Sequence, residues 1–206
     1  MRGVSRSPVL LRKLFPGVVW NLPGNRKEIL LTFDDGPVPV ATEWILDGLR
    51  DYRLKALFFC LGERVEQYPE LFCRIIEEGH RVGNHTYNHP DGWETPINKY
   101  LENVERGNSL IPGNLFRPPY GRLTPQQYVR LRKTWRIIMW SWLVYDFNNQ
   151  ASDREIWGKL KLYLSEGGIF VFHDAAYKNT ERRELLEKTF REIKKTGRYF
   201  SGNDFP

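Results

Sequence analysis

The chain has 206 residues and a mass of 24.4 kDa, with 41% hydrophobic and 27% charged residues. These values are typical of one globular domain with a sizeable core, and they exclude a disordered chain, a collagen and a coiled coil. The formal net charge is +6. Because acidic residues interleave with the basic ones, we expect a solvated basic surface and no nucleic-acid partner, although an anionic glycan would gain from the same field.

The first part of the chain, residues 1–27, contains no apolar run long enough for a membrane span or a signal-peptide core, since charged residues, a proline and a glycine interrupt it. Cys60 and Cys73 are too few for a disulfide scaffold. We therefore expect a cytoplasmic protein with no membrane span. Residues 1–27 are predicted to be an extension that packs on a domain of residues 28–206. The sequence does not indicate an oligomeric state.

Short apolar runs alternate with longer amphipathic segments, as in repeated βα units around a largely parallel sheet. These runs predict strands at Glu28 to Phe33, Ala56 to Leu61, His80 to Gly83, Leu115 to Arg117, Arg136 to Trp140 and Gly168 to Phe172. A complete eight-unit barrel takes about 250 residues. The fold class predicted for this shorter chain is therefore α/β, a distorted, incomplete (β/α) barrel of about seven strands.

The segments between these strands carry helix signals. Apolar residues at helical spacing predict helices at Val40 to Tyr52, Pro69 to Glu78, Asp153 to Leu164 and Glu181 to Lys195. Thr95 and Thr124 each precede a proline at a predicted first helical position. Gln127 lies three residues after Thr124, and Glu155 three after Ser152, so both pairs are predicted capping boxes.

Polar residues follow the predicted strands, and in this kind of fold reacting groups lie on the loops after the strands. Asp34 and Asp35 come directly after the first strand, and Gly36 with Pro37 turns the chain there. Such a turn can direct both carboxylates into one pocket, where one binds a metal and the other stays free as a base. An Asx turn or a helix cap is the alternative interpretation of this short motif.

Histidines form the second group of polar residues. His85 and His89 follow the third predicted strand and are four residues apart, close enough in a helical turn to face one cation. A pair of ordinary surface or core histidines is the alternative. Of the four histidines in the chain, these two and His173 follow predicted strands and would share one rim. His80 precedes its strand, and we assign it to structure.

Three more segments complete the series. After the fourth strand, Arg117 is followed by two prolines and then by Tyr120 and Gly121, a segment able to present a backbone N–H at a fixed angle. After the fifth strand comes an aromatic segment with a single acid, Asp146. The sixth strand leads into His173, where burial and a nearby carboxylate can adjust the imidazole pKa for catalysis.

In this order the five segments resemble the motifs of the polysaccharide deacetylases with NodB homology, also called carbohydrate esterase family four. The resemblance spans Ile29 to Asp174. It implies that Asp34 is the catalytic base and that a divalent metal, most often zinc, is held by Asp35, His85 and His89.

The resemblance also implies roles for the later segments. Arg117 would pair with the base, and the main-chain N–H of Tyr120 would help to bind the oxyanion. His173 would be the general acid, oriented by Asp146. Val171 occupies the position at which the family lines the pocket for the acetyl methyl group.

Two residues of the fourth motif depart from the family pattern. Leu143 replaces the first of two acids, and Phe147 replaces a tryptophan. Because Asp146 is kept, we expect an altered fit of the substrate with the acid–base relay intact. The faces of sugars are apolar enough to lie against aromatic rings. Phe147, Trp93, Trp140 and Trp142 are therefore candidates for substrate contact. For Trp140 we favour a position in the core.

The function that the resemblance implies is metal-dependent removal of acetyl groups from N-acetylated sugars, in a polysaccharide or an oligosaccharide. A dedicated acid such as His173 favours N-deacetylation, because an amine must be protonated before it departs. O-deacetylation stays open. Two alternatives are a hydrolase of a small non-sugar amide on the same fold and a glycan-binding module without catalysis. The sequence does not select the sugar, and an Asp/His/His site accepts several metals.

Overall fold

The computed structural model describes residues 4–7, 9–22, 27–148, 150–178 and 180–199. Within these ranges eight strands form one sheet in the order β1-β7-β8-β2-β3-β4-β5-β6. In chain order the strands are β1 (Val4–Arg6), β2 (Ile29–Asp34), β3 (Ala56–Cys60), β4 (Arg81–Asn84), β5 (Leu115–Phe116), β6 (Arg136–Ile137), β7 (Trp142–Val144) and β8 (Gly168–His173).

The sheet is parallel except at one edge, where β1 pairs with β7 in the antiparallel direction. The central strand β2 lies between β3 and β8 and is buried along its whole length. Strands covered on both faces have nearly continuous apolar sequences, which is why the apolar runs located them. The predicted α/β fold with an incomplete barrel is confirmed, and the curled sheet has one strand more than expected.

Six of the eight strands were located individually in the sequence, and the other two, β1 and β7, are short and pair with each other. β1 has three residues and pairs with β7 through Val4 and Val144. The strand predicted at Arg136 to Trp140 stops at Ile137. Beyond that point Val19 forms a parallel bridge with Ile138, and the N–H of Met139 donates to Val19 O at 2.8 Å. The partners in these pairs are more than about 100 residues apart in the chain, so the local sequence pattern does not predict the pairing.

Eight helices surround the sheet in the described ranges. They are α1 (Val9–Leu14), α2 (Ala41–Tyr52), α3 (Gly62–Gln67), α4 (Pro69–Glu77), α5 (Ile97–Asn108), α6 (Pro125–Leu131), α7 (Asp153–Leu164) and α8 (Thr180–Thr196). Short 3₁₀ turns lie at Pro119–Gly121 and Asp174–Lys178. None of the described helices combines the length and the apolar composition that crossing a bilayer requires.

Two of the three predicted helix starts are correct. Thr124 Oγ1 accepts from the N–H of Gln127 at 3.3 Å, and Ser152 Oγ accepts from Glu155 at the same distance. The prediction for Thr95 is wrong. Helix α5 begins at Ile97 with Pro96 as its N-cap residue, because Thr95 is held in the preceding loop, where its carbonyl accepts from Gln127 Nε2 at 3.2 Å.

The alternation of side chains along β2 decides which residues reach the site. Ile29, Leu31 and Phe33 belong to the large core cluster that also contains residues of α2, α7 and α8. Successive strand residues point to opposite faces. Thr32 and Asp34 therefore share the other face with Leu30, which packs with Leu57, Phe59 and Ile169 in a second cluster. Asp34 lies at the carboxyl end of this second face.

The described part of residues 1–27 packs against the sheet. Trp20 and Leu22 are buried, and the N–H of Ser7 donates to Ser141 O at 3.1 Å. Residues 23–26, which precede the predicted boundary at residue 28, lie outside the described ranges. The division of the chain at this boundary stays a prediction.

Candidate active site

The polar segments that follow the parallel strands meet at the carboxyl edge of the sheet. Asp34 pairs in register with His173 of β8, and Asn84 pairs with Phe116 of β5, which places His85 next to Arg117. Together they form a pocket of about 470 Å³. It is lined by Asp34, Asp35, His85, His89, Pro118, Tyr120, Gly121, Arg122, Trp140, Leu143, Phe147, Val171 and His173.

Asp35, His85 and His89 form one cluster, with a potential ligand atom from each lying within 4.8 Å of the others. Nε2 of His85 is 3.5 Å from Asp35 Oδ1, and Nε2 of His89 is 3.2 Å from it. The Nδ1 atom of His85 donates to Arg117 O at 2.7 Å. Since a carbonyl oxygen only accepts, this bond leaves Nε2 as the unprotonated nitrogen that faces the cluster.

The local backbone directs these side chains inward. Asp35 has a φ of 75° and His89 a φ of 63°, both in the left-handed region. The N–H of His89 donates to Thr86 Oγ1 at 3.1 Å, which fixes the loop after β4. Asp35 is the residue after β2, and its left-handed backbone conformation turns its side chain away from the path of the strand. Two adjacent aspartates can therefore contribute to the same pocket.

The cluster has the chemistry of a cation site. Asp35 Oδ1 is buried and makes no hydrogen bond within the described residues. Burial would raise the pKa of Asp35, but the neighbouring imidazoles outweigh burial and lower it, so this carboxylate stays ionised. Burial lowers the pKa of His85, which keeps its imidazole neutral. One carboxylate and two imidazoles fit a divalent cation with an open coordination position.

Asp34 has a different partner from its neighbour. Nη1 of Arg117 donates to Asp34 Oδ1 at 2.7 Å, and both side chains are almost fully buried. The same guanidinium donates to Thr32 Oγ1 at 2.7 Å, and it also donates to two carbonyl oxygens, those of Ile138 and Met139. A buried charge needs such complete pairing. Asp34 is thus held beside the Asp35/His85/His89 cluster by a guanidinium.

His173 lies across the pocket and is bonded to Asp146. Its ring Nδ1 donates to Asp146 Oδ1 at 2.8 Å, and its backbone N–H donates to Asp146 Oδ2 at 2.8 Å. Burial alone would lower the pKa of His173. The charge and the hydrogen bond of Asp146 outweigh burial, and together with Asp35 and Asp34 they raise it to about 9. This imidazole is therefore protonated at neutral pH and able to give up a proton.

Tyr120 and Gly121 form a left-handed turn in the pocket wall. Their φ angles are 57° and 65°. A Cβ atom on Gly121 would come within 2.5 Å of Trp140 Cη2, so only glycine fits this close approach. The ring of Tyr120 contacts that of His89 edge-on, with 4.6 Å between centroids. The role of the Tyr120 N–H at an oxyanion stays a prediction.

Val171 and Phe147, both predicted to contact substrate, line the pocket. Val171 is buried in its wall, and Phe147 is half-exposed, with its ring edge-on to His173 at 4.6 Å. Leu143, which replaces an acid of the family motif, also lines the wall. These side chains make that part of the pocket apolar.

The prediction for Trp142 is wrong. Its side chain is in the core at 3% exposure and stacks on Tyr163, with ring centroids 4.0 Å apart. Its indole N–H donates to Gly167 O at 3.0 Å. Trp142 and Leu143 are neighbours in β7 and point to opposite faces, so only Leu143 reaches the pocket. Trp140, for which the core was favoured, lines the pocket instead.

Thr32 and Tyr177 support the site but were not recognised in the sequence. Thr32 Oγ1 accepts from Arg117 and donates to Phe170 O at 2.8 Å. The hydroxyl of Tyr177 donates to Asp146 Oδ2 at 3.0 Å. Thr32 could have been found, because it precedes Asp34 by two residues in an otherwise apolar strand and so shares its face. No local pattern pointed to Tyr177.

The pocket combines an Asp/His/His cluster, a separate buried carboxylate and a protonated histidine at the carboxyl edge of an incomplete barrel, which is the chemistry of a hydrolase. Comparison with known proteins agrees. A model of the family "Polysaccharide deacetylase" matches residues 21–134. The chain belongs to this family and is a carbohydrate deacetylase, a hydrolase of carbon–nitrogen bonds.

Individual relatives match over most of the chain. A peptidoglycan-N-acetylglucosamine deacetylase of Bacillus cereus is 32% identical over 191 residues, 89% of each chain. The peptidoglycan-N-acetylmuramic acid deacetylase PdaA of Bacillus subtilis is 33% identical over 196 residues, 88% of this chain and 72% of that one. A crystal structure of a peptidoglycan N-acetylglucosamine deacetylase with a bound N-hydroxybenzamide has a TM-score of 0.82 and 28% identity, covering 94% of both chains.

The Arg117–Asp34 pair gives a stability prediction. Arg117→Met leaves the Asp34 carboxylate buried without its partner, and we expect the free energy of unfolding to fall by about 3 to 5 kcal/mol. The measurement is urea unfolding followed by circular dichroism. Arg50→Met is the control, because Arg50 pairs with Asp47 at the surface and should lose less than about 1 kcal/mol. Equal losses in the two variants would contradict the assignment, and adding Asp34→Asn to Arg117→Met should recover part of the loss.

Proposed function

We propose that this deacetylase removes the acetyl group from N-acetylated amino sugars of a glycan and that it needs a divalent cation, with zinc the first candidate. The observation that carries the proposal is the arrangement of two adjacent aspartates. Asp35 faces His85 and His89, whereas Asp34 pairs with Arg117 and stays available as a base. The relatives named above act on peptidoglycan, which makes the N-acetylated sugars of peptidoglycan the first substrates to test.

The residues present support hydrolysis of an amide by water. Asp35, His85 and His89 would hold the cation, which when bound polarises the acetamide carbonyl and lowers the pKa of a water molecule. Asp34 takes the proton of the attacking water, and Arg117 keeps its carboxylate in place. The Tyr120 N–H stabilises the negative charge that develops on the carbonyl oxygen.

His173 completes the reaction by protonating the sugar nitrogen. Nδ1 is engaged by Asp146, so Nε2 is the atom that delivers the proton. An amine leaves only after it has been protonated, and the raised pKa of His173 keeps that proton available. This requirement favours an N-acetyl over an O-acetyl substrate. Free acetate and a free amino sugar are the products.

The apolar wall suits the acetyl methyl group. Val171 is fully buried in it, and Leu143 stands at the same wall in place of an acid. A methyl group placed there keeps the carbonyl directed toward the cation cluster. Phe147, edge-on to His173, would shield the reacting atoms from bulk water.

Acetate release tests the proposal. Metal-free protein, prepared with a chelator, should release no acetate from N-acetylated chitin oligomers or peptidoglycan fragments, and added Zn²⁺ should restore release. Asp34→Asn should lower kcat by about 10² to 10⁴ because it removes the base. Asp51→Asn on the exposed side of α2 is the matched control and should keep wild-type activity.

The two alternatives give different results in the same experiment. Hydrolysis of a small non-sugar amide with the chelator present would favour the amidohydrolase alternative. Glycan binding without turnover in the presence of metal would favour a binding module. Unchanged acetate release by Asp34→Asn would defeat the assignment of the base.

The His173–Asp146 bond predicts a pH dependence. As a general acid His173 must be protonated, so kcat should fall as the pH rises through its pKa of about 9. Asp146→Asn removes the charge that raises this pKa, and we expect the alkaline limb of the kcat profile to move to lower pH. Tyr177→Phe removes only a hydroxyl bonded to Asp146 and should move it much less. An alkaline limb at the same pH in Asp146→Asn and the wild type would contradict the role of His173.

A further inference from the structure

Trp93 is an exposed aromatic side chain in the loop between His89 and α5, with 63% of its surface accessible. Single exposed apolar residues are common and by themselves indicate nothing. Trp93 differs because hydrogen bonds fix both its backbone and its indole ring. Its indole N–H donates to Leu123 O at 3.3 Å, and its backbone N–H donates to Asp91 Oδ1 at 2.9 Å.

The loop that carries Trp93 is tightly held. Gln127 Nε2 donates to Gly92 O at 2.8 Å and to Thr95 O at 3.2 Å. A Cβ atom on Gly92 would lie 2.3 Å from Arg122 O, so the two loops touch through their backbones. A side chain fixed in this way loses little conformational entropy when a ligand binds to it. Trp93 is therefore a preorganised surface.

Arg122 connects Trp93 to the catalytic pocket. Its guanidinium carbon lies 4.7 Å from the centroid of the Trp93 ring and 5.6 Å from that of Tyr120. It also forms an ion pair with Asp91. The Tyr120 ring contacts His89, and Arg122 itself lines the catalytic pocket. A row of neighbouring side chains thus runs from His89 through Tyr120 and Arg122 to Trp93.

A second cavity, of about 230 Å³, lies beside the catalytic pocket on the side of Trp93. The two share Pro118 and Gly121 as a common wall. The lining is apolar and includes Phe15, Trp93 and Met139. A ligand that extends beyond the catalytic pocket in this direction passes Arg122, which lines that pocket, and meets the indole of Trp93.

We propose that Trp93 and Arg122 form a subsite for the sugar residue next to the one that is deacetylated. A pyranose has an apolar face that can stack on the exposed indole of Trp93, and its hydroxyls can accept hydrogen bonds from the partly exposed guanidinium of Arg122 beside that ring. This combination of an exposed indole with a guanidinium donor favours a sugar over an acyl chain, which has no hydroxyls to accept from Arg122. The inference rests on the proposed function, because it assumes that a glycan chain occupies the catalytic pocket.

The subsite makes the effect of Trp93 depend on substrate length. Trp93→Ala should lower kcat/KM about two- to tenfold for the tetramer of N-acetylglucosamine, and much less for the monomer. Trp93→Phe should recover part of the loss. Leu162→Ala removes a side chain of comparable exposure on α7 and should leave both substrates unaffected. Circular dichroism checks that all variants are folded.

Binding to the metal-free protein tests the subsite separately from catalysis. Titration calorimetry with the tetramer in the presence of a chelator should give a Kd two- to tenfold weaker for Trp93→Ala than for the wild type. If the wild type releases no acetate, the proposed function fails, and this titration still decides the subsite. Equal tetramer affinity and turnover in Trp93→Ala and the wild type, or equal losses for monomer and tetramer, would overturn the inference. Tighter binding of an acylated probe than of the tetramer would identify the cavity as an acyl site instead.

Discussion

The buried guanidinium of Arg117 separates the roles of two adjacent aspartates, and the chemistry of the pocket depends on that separation. Arg117 is fully buried, and its nitrogens donate to Asp34, to Thr32 and to two backbone carbonyls. These bonds tie the central strand β2 to the chain after β6. Because the guanidinium holds Asp34, only Asp35 is left to face the histidines. The proposed base and the proposed metal ligand can therefore be neighbours in the chain.

Hydrogen bonds to neighbouring groups also fix the two histidines His85 and His173. His85 donates to the carbonyl of Arg117, so the residue that holds the proposed base also fixes the orientation of a proposed metal ligand. Outer partners of this kind set both the tautomer and the direction of a ligating imidazole. Across the pocket, Asp146 fixes His173, the proposed general acid, with two hydrogen bonds. In both histidines Nδ1 is thus already hydrogen-bonded to the protein, and Nε2 is the nitrogen left for the pocket.

Much of this could be predicted from the sequence because the carboxyl ends of parallel strands meet at one edge of a sheet. Asp34, His85 and His173 each follow a predicted strand, and parallel strands place such residues together at one edge. Trp142 was misplaced because the phase of alternation in β7 depends on where that short strand begins. That start is set by pairing with β1 and β8, partners far away in the chain. Thr95 is not the cap of α5 for a similar reason, since Gln127 of α6 binds its carbonyl from a distant part of the chain.

Zinc titration of matched variants tests the central claim most directly. Calorimetry on metal-free protein should give about one Zn²⁺ per chain for the wild type and for Asp34→Asn. Asp35→Asn should bind at least about tenfold more weakly, because it loses a ligand that has no substitute in the cluster. The two substitutions are chemically identical and adjacent, so the comparison isolates position. Loss of zinc in Asp34→Asn, or wild-type affinity in Asp35→Asn, would contradict the division of roles.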